Sequence, residues 1–429
     1  MSPALQLALD FVNLKRALKI AEKAVPRGVD RIEAGTPLIK SEGLDVVRAL
    51  RRKFPNKTIV ADMKIMDAGR IEVESAAKSG ANVITVLGAA SDATLRESVE
   101  AAANYGAKIE VDLVGVKNAP RRAAEAEKIG ADFIGVHCAI DEQMEGKDSF
   151  KRLTDVVNAV KIPVVVAGGL NSETVRKAIA CGASILVVGG AIIKASDPAK
   201  ATSRIKTAIT RKKSLKTKFF KRVSEKNICD IFRKVSTANL SDAMHRSGEL
   251  KNIPPVHKPV KAFGRVITVR TYPGDWAKPV EAVDRANPGD VIVIDAGGVG
   301  PAVWGELTTH GAIQKKIAAV IINGAVRDTD EIKKLKFPVC ARLITPTAGE
   351  PKGFGEINVP LTVDGVKIHP GDWAVIDSDG AVIVPDKKAV EIANRSMSVL
   401  EAENRLRKEI DAGSTLAGVT ELLRWEKVR

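Results

Sequence analysis

The chain has 429 residues, 45% apolar and 28% charged, with 67 Lys and Arg against 52 Asp and Glu for a net charge of +15. That length exceeds one ordinary core and predicts two domains, and the balance is that of a globular chain rather than a disordered one. Only 4% is aromatic, so the cores are expected to consist of Val, Ile, Leu and Ala, which suits parallel α/β architecture. No apolar run is long enough to span a bilayer, and the N-terminus lacks the basic, apolar and small-residue order of a signal peptide. Cys138, Cys181, Cys229 and Cys340 show no paired spacing. Free thiols in a reducing cytoplasm are therefore expected rather than disulfides or zinc.

In chain order, β-branched runs appear at 5–10, 30–34, 58–64, 83–88, 108–114, 133–138, 163–168 and 184–189. Helical patterns such as Leu14–Ala24, Glu72–Ser79, Asp92–Tyr105 and Ser172–Cys181 lie between them. Eight evenly spaced strand–helix units over residues 1–208 predict a (β/α)8 barrel, with a doubly wound sheet as the alternative. Such a barrel carries its chemistry at the carboxyl ends of its strands. Asp10, Glu33, Asp62 with Lys64, Asp112 and His137 fall at successive strand ends. A single polar strand end would mean little, but these converge on one barrel mouth.

The densest of these ends is Asp62-Met63-Lys64-Ile65-Met66-Asp67, directly after the apolar run 58–61. Strand alternation predicts Asp62 and Lys64 on one face, with Asp67 in the loop beyond. Carboxylates there can hold a metal and orient the ammonium, and the Lys can stabilise or protonate an enediolate. A surface ion-pair cluster is the bland reading. Gly168-Gly169 and Gly189-Gly190 follow the last two strands, the usual phosphate position of this fold, and suggest a sugar-phosphate ligand.

With Leu9-Asp10, Glu33-Ala34-Gly35-Thr36-Pro37-Leu38, Val136-His137 and the two Gly-Gly stretches, residues 1–208 resemble the orotidine-phosphate-decarboxylase superfamily. Within it they resemble the 3-hexulose-6-phosphate synthases. That resemblance implies a reversible, Mg²⁺-dependent aldol reaction of ribulose 5-phosphate with formaldehyde. Glu33 and Asp62 would hold Mg²⁺, and Asp10, Lys64, Asp112 and His137 would act in catalysis, His137 as a proton shuttle. Asp67 would reach into a partner's site across a homodimer. The 3-keto-gulonate-6-phosphate decarboxylases are the nearest rival. They carry Glu where Asp112 stands and Arg where Gly190 stands.

Residues 209–227 read as a basic linker. Arg211–Lys226 holds eight Lys and Arg against Glu225, nearly half of the chain's excess charge, around Phe219-Phe220. A solvated connector is expected, in preference to an RNA-binding patch.

Residues 228–429 read as a separate mixed α/β domain. Helical segments are expected at 228–247 and 386–411, flanking strands entered through the Pro-Gly-Asp turns at 288–290 and 370–372. A helix opening at Glu306 and an Arg327-Asp328 strand end predict a carboxylate site, with Glu306 and Asp328 as ligands for a divalent metal. Together with Leu240-Ser241-Asp242-Ala243 and Asp379–Pro385, this half resembles the family shared by 4-hydroxy-4-methyl-2-oxoglutarate aldolase and the protein regulator of ribonuclease E. The resemblance implies a 2-oxoacid held by Arg327 and amides near Leu307 and Thr308, with Mg²⁺ or Mn²⁺ at Asp328 supported by Glu306. It also implies a trimer or larger ring. The regulator branch would instead bind a nuclease partner without turnover.

Overall fold

The computed structural model describes residues 3–146, 149–217, 222–223, 227–258 and 261–420. Phe219 and Phe220, with Lys218, Lys221, Glu225 and Lys226 of the basic segment, lie outside the described residues, as does the tail from 421 onward. The chain forms two compact units, Met1–Gln143 with Lys147–Lys221, and Met144–Gly146 with Arg222–Arg429.

The first unit is a closed barrel of parallel strands: β1 (Ala4–Leu9), β2 (Arg31–Ala34), β3 (Thr58–Ile65), β4 (Val83–Leu87), β5 (Lys108–Asp112), β6 (Phe133–His137), β7 (Val164–Ala167) and β8 (Ile185–Val188). β8 returns to β1 in register from Ala4↔Ile185 to Leu7↔Val188. Alternation sorts the side chains. Leu5, Leu7, Leu9, Ile32, Ile59 and Ile84 point outward and are wholly buried under the surrounding helices.

The opposite face lines the barrel interior and is divided. Ala8, Val165, Ile185 and Val187 make an apolar side, while Arg31, Glu33, Asp62, Glu110 and Asp112 on β2, β3 and β5 are buried and charged. At the foot of the barrel, three odd strands are tied by the residue that precedes their neighbour. Asp30 accepts from Leu5 N–H, Asn82 from Ile59 N–H and Asp132 from Ile109 N–H, at 2.7–2.9 Å. Helix starts are capped as their residue types require, by Asn13, Ser91, Asn118 and Asp197. The last barrel helix runs Pro198–Arg211. The chain beyond it is not a free connector at first, because Leu215 bonds to Ser172 and Thr217 N–H donates to Glu173.

The second unit holds β9 (Ala262–Thr271), β10 (Val291–Asp295), β11 (Ala302–Trp304), β12 (Ala319–Val326), β13 (Val339–Ile344), β14 (Gly355–Ile357), β15 (Leu361–Val363), β16 (Val366–Ile368), β17 (Trp373–Asp377) and β18 (Gly380–Val384). One mixed sheet runs β11-β12-β10-β9-β17-β18, with β13 also on β12 and β14 also on β9; β15 and β16 form a hairpin. β9, β10 and β12 are parallel, and β17 and β18 are antiparallel.

Helices occupy Ile228–Phe232, Thr237–Ala243 and Ala389–Asp411. The twin Pro-Gly-Asp turns are structural. Asp290 accepts from Asn287 N–H and Asp372 from His369 N–H, both at 2.8 Å, and both carboxylates are buried where strands enter the sheet. Among the described residues, no helix is long and apolar enough to cross a membrane.

Candidate active sites

Strand β3 does not alternate regularly. Its register against β4 shifts between Ala61 and Ile65, and Lys64 takes a left-handed backbone with φ 49°. Regular alternation was expected there. The irregularity instead turns Lys64 Nζ back over Asp62, 3.0 Å from both carboxylate oxygens, and 3.1 Å from Asp112 Oδ2 on β5. A positive φ at a non-glycine residue costs free energy and is held only when its surroundings enforce it. Here Thr85 does so, because its hydroxyl accepts from Lys64 N–H and donates to Asp62 Oδ1 at 2.8 Å. Thr36 donates to Asp62 Oδ2 at 2.6 Å. Thr36 was visible only as part of the Glu33–Leu38 stretch, without a role, and Thr85 was not singled out from sequence, since hydroxyls in strands are common.

Asp112 is buried, accepts from Val114 N–H, and lies 3.4 Å from His137 Nδ1. Desolvation alone would raise its pKa. The His137 hydrogen bond and the Lys64 charge outweigh it and hold Asp112 down at about 2. Burial works against the charged form of Lys64, but Asp62 and Asp112 overcome it and raise its pKa. The cluster is therefore an ammonium fixed between two carboxylates, of which Asp112 is held ionised and has an imidazole beside it.

Glu33 lies on β2, facing the same cleft as Asp62, Lys64, Glu110, Asp112 and His137. Desolvation and the charges of Asp62 and Asp10 raise its pKa well above the usual range, against a hydrogen bond from Gln6. Asp10 follows β1 and is reached by solvent. Its pKa is raised by partial desolvation in the crowded mouth and then by Asp62, with Lys194 among the opposing charges. A Cβ on Gly35 would stand 2.3 Å from Asp10 Oδ1, and one on Gly189 would stand 3.2 Å from Oδ2, so both glycines make room for this carboxylate.

Asp10, Glu33 and Asp62 repel one another across the mouth, a repulsion that a cation near them would relieve. Among the described residues no group of three or more His, Cys, Asp and Glu is placed to hold a metal. The fit is thus to a hard ion that takes one or two carboxylates and completes its shell with water and substrate oxygens.

Gly168 and Gly169 follow β7 with φ 102° and 69°. Any side chain at Gly168 would meet Cys138 O at 2.6 Å. Gly190 opens the short helix Gly190–Ile193 after β8. Asp67 is exposed beyond β3, beside Met66, which is 53% exposed.

In the second unit, Arg327 and Asp328 follow β12 and line a cleft of about 480 Å³ with Leu307, Thr308, Trp304 and Trp276. Asp328 has φ 59°. Its Oδ2 accepts from Glu306 N–H at 3.1 Å and lies 3.4 Å from Arg327 Nε. The expected free N–H at the start of helix Glu306–Gln314 is therefore already taken by Asp328. Gly305 permits this approach, since a Cβ there would lie 2.6 Å from Asp328 Oδ2. The Glu306 carboxylate is paired with His310 at 3.4 Å and does not line the cleft. Sequence reasoning missed His310, whose i,i+4 spacing from Glu306 was the available signal.

Residues 3–205 match a family model described as the orotidine 5'-phosphate decarboxylase / HUMPS family, and residues 237–383 match one described as aldolase/RraA. The 3-hexulose-6-phosphate synthase of Bacillus subtilis is 42% identical over 208 residues, covering 48% of this chain and 99% of that protein. The synthase of Mycobacterium gastri is 40% identical over 205 residues, covering 48% and 99%. A structure of the RNA-processing inhibitor RraA from Thermus thermophilis aligns at 30% identity, covering 35% of this chain and 93% of that one, with a TM-score of 0.34. The chain belongs through its barrel to the orotidine 5'-phosphate decarboxylase / HUMPS family of enzymes, beside relatives named 3-hexulose-6-phosphate synthase, and it carries a second, RraA-like domain.

Proposed function

We propose that the barrel catalyses the reversible aldol reaction of D-ribulose 5-phosphate with formaldehyde to give 3-hexulose 6-phosphate. The observation that carries this reading is the Asp62–Lys64–Asp112 clamp, with His137 on its open side. Lys64 offers a fixed positive charge to the oxygens of an enediolate. Asp112 orients both Lys64 and the His137 ring. With Nδ1 toward Asp112, the proton-carrying role falls to Nε2: it removes the proton from the sugar carbon and returns it to the oxygen that was formaldehyde's carbonyl. Glu33 and Asp62 would hold Mg²⁺, which when bound supplies Lewis-acid stabilisation of the enediolate. The loops at Gly168-Gly169 and Gly189-Gly190 would take the phosphate.

Asp112 and Gly190 favour this reaction over keto-gulonate-phosphate decarboxylation, because the shorter acid and the missing guanidinium depart from the decarboxylase pattern. Exposed Met66, Asp67 and Ile71 support a subunit contact at the end of β3, hence a barrel dimer. A cytoplasmic setting fits the scattered thiols. The test is formaldehyde-dependent consumption of ribulose 5-phosphate by the purified chain, with Mg²⁺ and with EDTA. Metal-dependent turnover supports the reading. Its absence, with decarboxylation of a keto-gulonate phosphate in its place, would transfer the site to the rival reaction.

For the second unit we propose a metal-dependent aldolase or decarboxylase of 2-oxoacids, supported by Arg327 and Asp328 meeting Leu307 and Thr308 in one cleft. Arg327 would pair with the carboxylate and enolate, and Asp328 would hold Mg²⁺ or Mn²⁺, directly or through water. Pyruvate release that disappears in Arg327→Ala supports it. Capture of a nuclease without turnover would assign the unit to the regulator branch.

A further inference from the structure

Below the carboxylates at the mouth lies a second polar layer that the reaction has not yet used. Gln6, Arg31 and Glu110 stand two residues before Ala8, Glu33 and Asp112 on β1, β2 and β5, and so share the interior face with them. All three are deeply buried, at 1%, 6% and 6% exposure. An Arg–Glu pair buried this deeply is costly and calls for a compensating reason.

The layer touches the site directly. Gln6 Nε2 donates to Glu33 Oε2 at 2.5 Å, and Glu110 lines the active-site cleft. Its own bonding is incomplete. Arg31 Nη2 stands 3.8 Å from Glu110 Oε2, too far for a direct hydrogen bond, and the guanidinium stacks 4.8 Å from the Phe133 ring. Gln6 Oε1, Arg31 Nε, Arg31 Nη2 and Glu110 Oε2 are buried polar atoms without a protein partner. Donors and acceptors orphaned together, with a gap above 3.5 Å between two of them, are the signature of bridging water.

We propose that Gln6, Arg31 and Glu110 form a positioning layer for the reaction centre: Gln6 sets the orientation of Glu33, and the water-bridged Arg31–Glu110 pair braces Gln6 and places a positive charge beneath the carboxylates. This rests on the aldol reading of the barrel, in which Glu33 faces the substrate.

The test exploits the opposition between stability and activity. Apolar replacement of a buried ion pair is commonly neutral or stabilising. The Arg31→Met/Glu110→Met double variant is therefore expected to melt at or above the wild-type temperature. Its kcat is expected to fall by about 10- to 100-fold, the loss usual when an outer support is removed, with KM for ribulose 5-phosphate nearly unchanged. Arg31→Lys, which keeps the charge, is expected to recover most of the kcat that Arg31→Met loses. A double variant with wild-type kcat, or one whose kcat and melting temperature fall together, overturns the proposal.

A crystal structure of Gln6→Met decides it without turnover. Glu33 displaced, with ordered water between Arg31 and Glu110, supports the layer; Glu33 unmoved overturns it. Should that variant not fold, the wild-type crystal structure supplies the water test, and a dry gap between Arg31 and Glu110 overturns the proposal. An inactive wild type would count against the aldol reading and leave these structural outcomes to judge the layer.

Discussion

The Lys64 ammonium lies 3.1 Å from the Asp112 carboxylate, 48 residues away along the chain, because β3 and β5 aim them into one barrel mouth. Their charges support each other. Each pKa moves toward the ionised form despite burial, so the two groups hold one another charged.

Removing either member should therefore damage chemistry more than fold. Asp112→Asn keeps the shape but removes the charge that orients Lys64 and His137, and steady-state assays should show kcat reduced by about 100-fold. Lys64→Ala should abolish measurable turnover with an unchanged far-UV circular dichroism spectrum. Wild-type activity in Lys64→Ala would remove the clamp from the mechanism.

Asp62 bears on the metal argument. It accepts from Thr36, Thr85 and Lys64, so Asp62→Ala strips the site of its central acceptor. Turnover in Mg²⁺ should be lost, and EDTA should reproduce that loss in the wild type. Retained turnover in Asp62→Ala would refute the proposed metal site.

Glu110 makes stability depend on pH with a definite sign. Burial, outweighing the opposing Arg31 charge, pushes it up to about 7 from an ordinary 4.5. Between those values the folded state keeps a proton that the unfolded state has released, so stability is full below about 4.5 and declines as pH rises toward 7. The decline attributable to Glu110 is on the order of 3 kcal/mol. Glu110→Gln should flatten it in urea titrations at pH 5, 6 and 7, and an undiminished slope would show that another group is responsible. Asp112 acts oppositely: its contribution is present above 3.8 and is lost as pH falls through about 2.

Asp328 joins conformation to capping. Its φ of 59° suits glycine, while its carboxylate satisfies the Glu306 N–H. Asp328→Ala loses the cap and retains the strained backbone, so it should destabilise the second unit by roughly 2 kcal/mol. Asp328→Gly should cost about 1 kcal/mol less, because it relieves the backbone. Denaturant melts of the two variants check the order, and equal stabilities would contradict it.

The sequence by itself determined the strand–helix succession over residues 1–208, because β-branched runs and amphipathic stretches alternate there at even spacing, and it favoured a barrel over a doubly wound sheet; the pairing of β8 with β1 decided closure. It also marked Asp10, Glu33, Asp62, Lys64, Asp112 and His137 as strand ends, and the Pro-Gly-Asp turns as entries to the second sheet. Only the tertiary structure decided what long-range geometry controls. Regular alternation did not reveal the backbone turn at Lys64, which exists because Thr85 from the next strand enforces it. Nor did it reveal that Asp328 occupies the helix start at Glu306, or that Glu306 turns to His310. Arg31 and Glu110 were visible as charges inside apolar strands. Their meeting under Glu33 depends on barrel closure, which brings β2 and β5 to one axis.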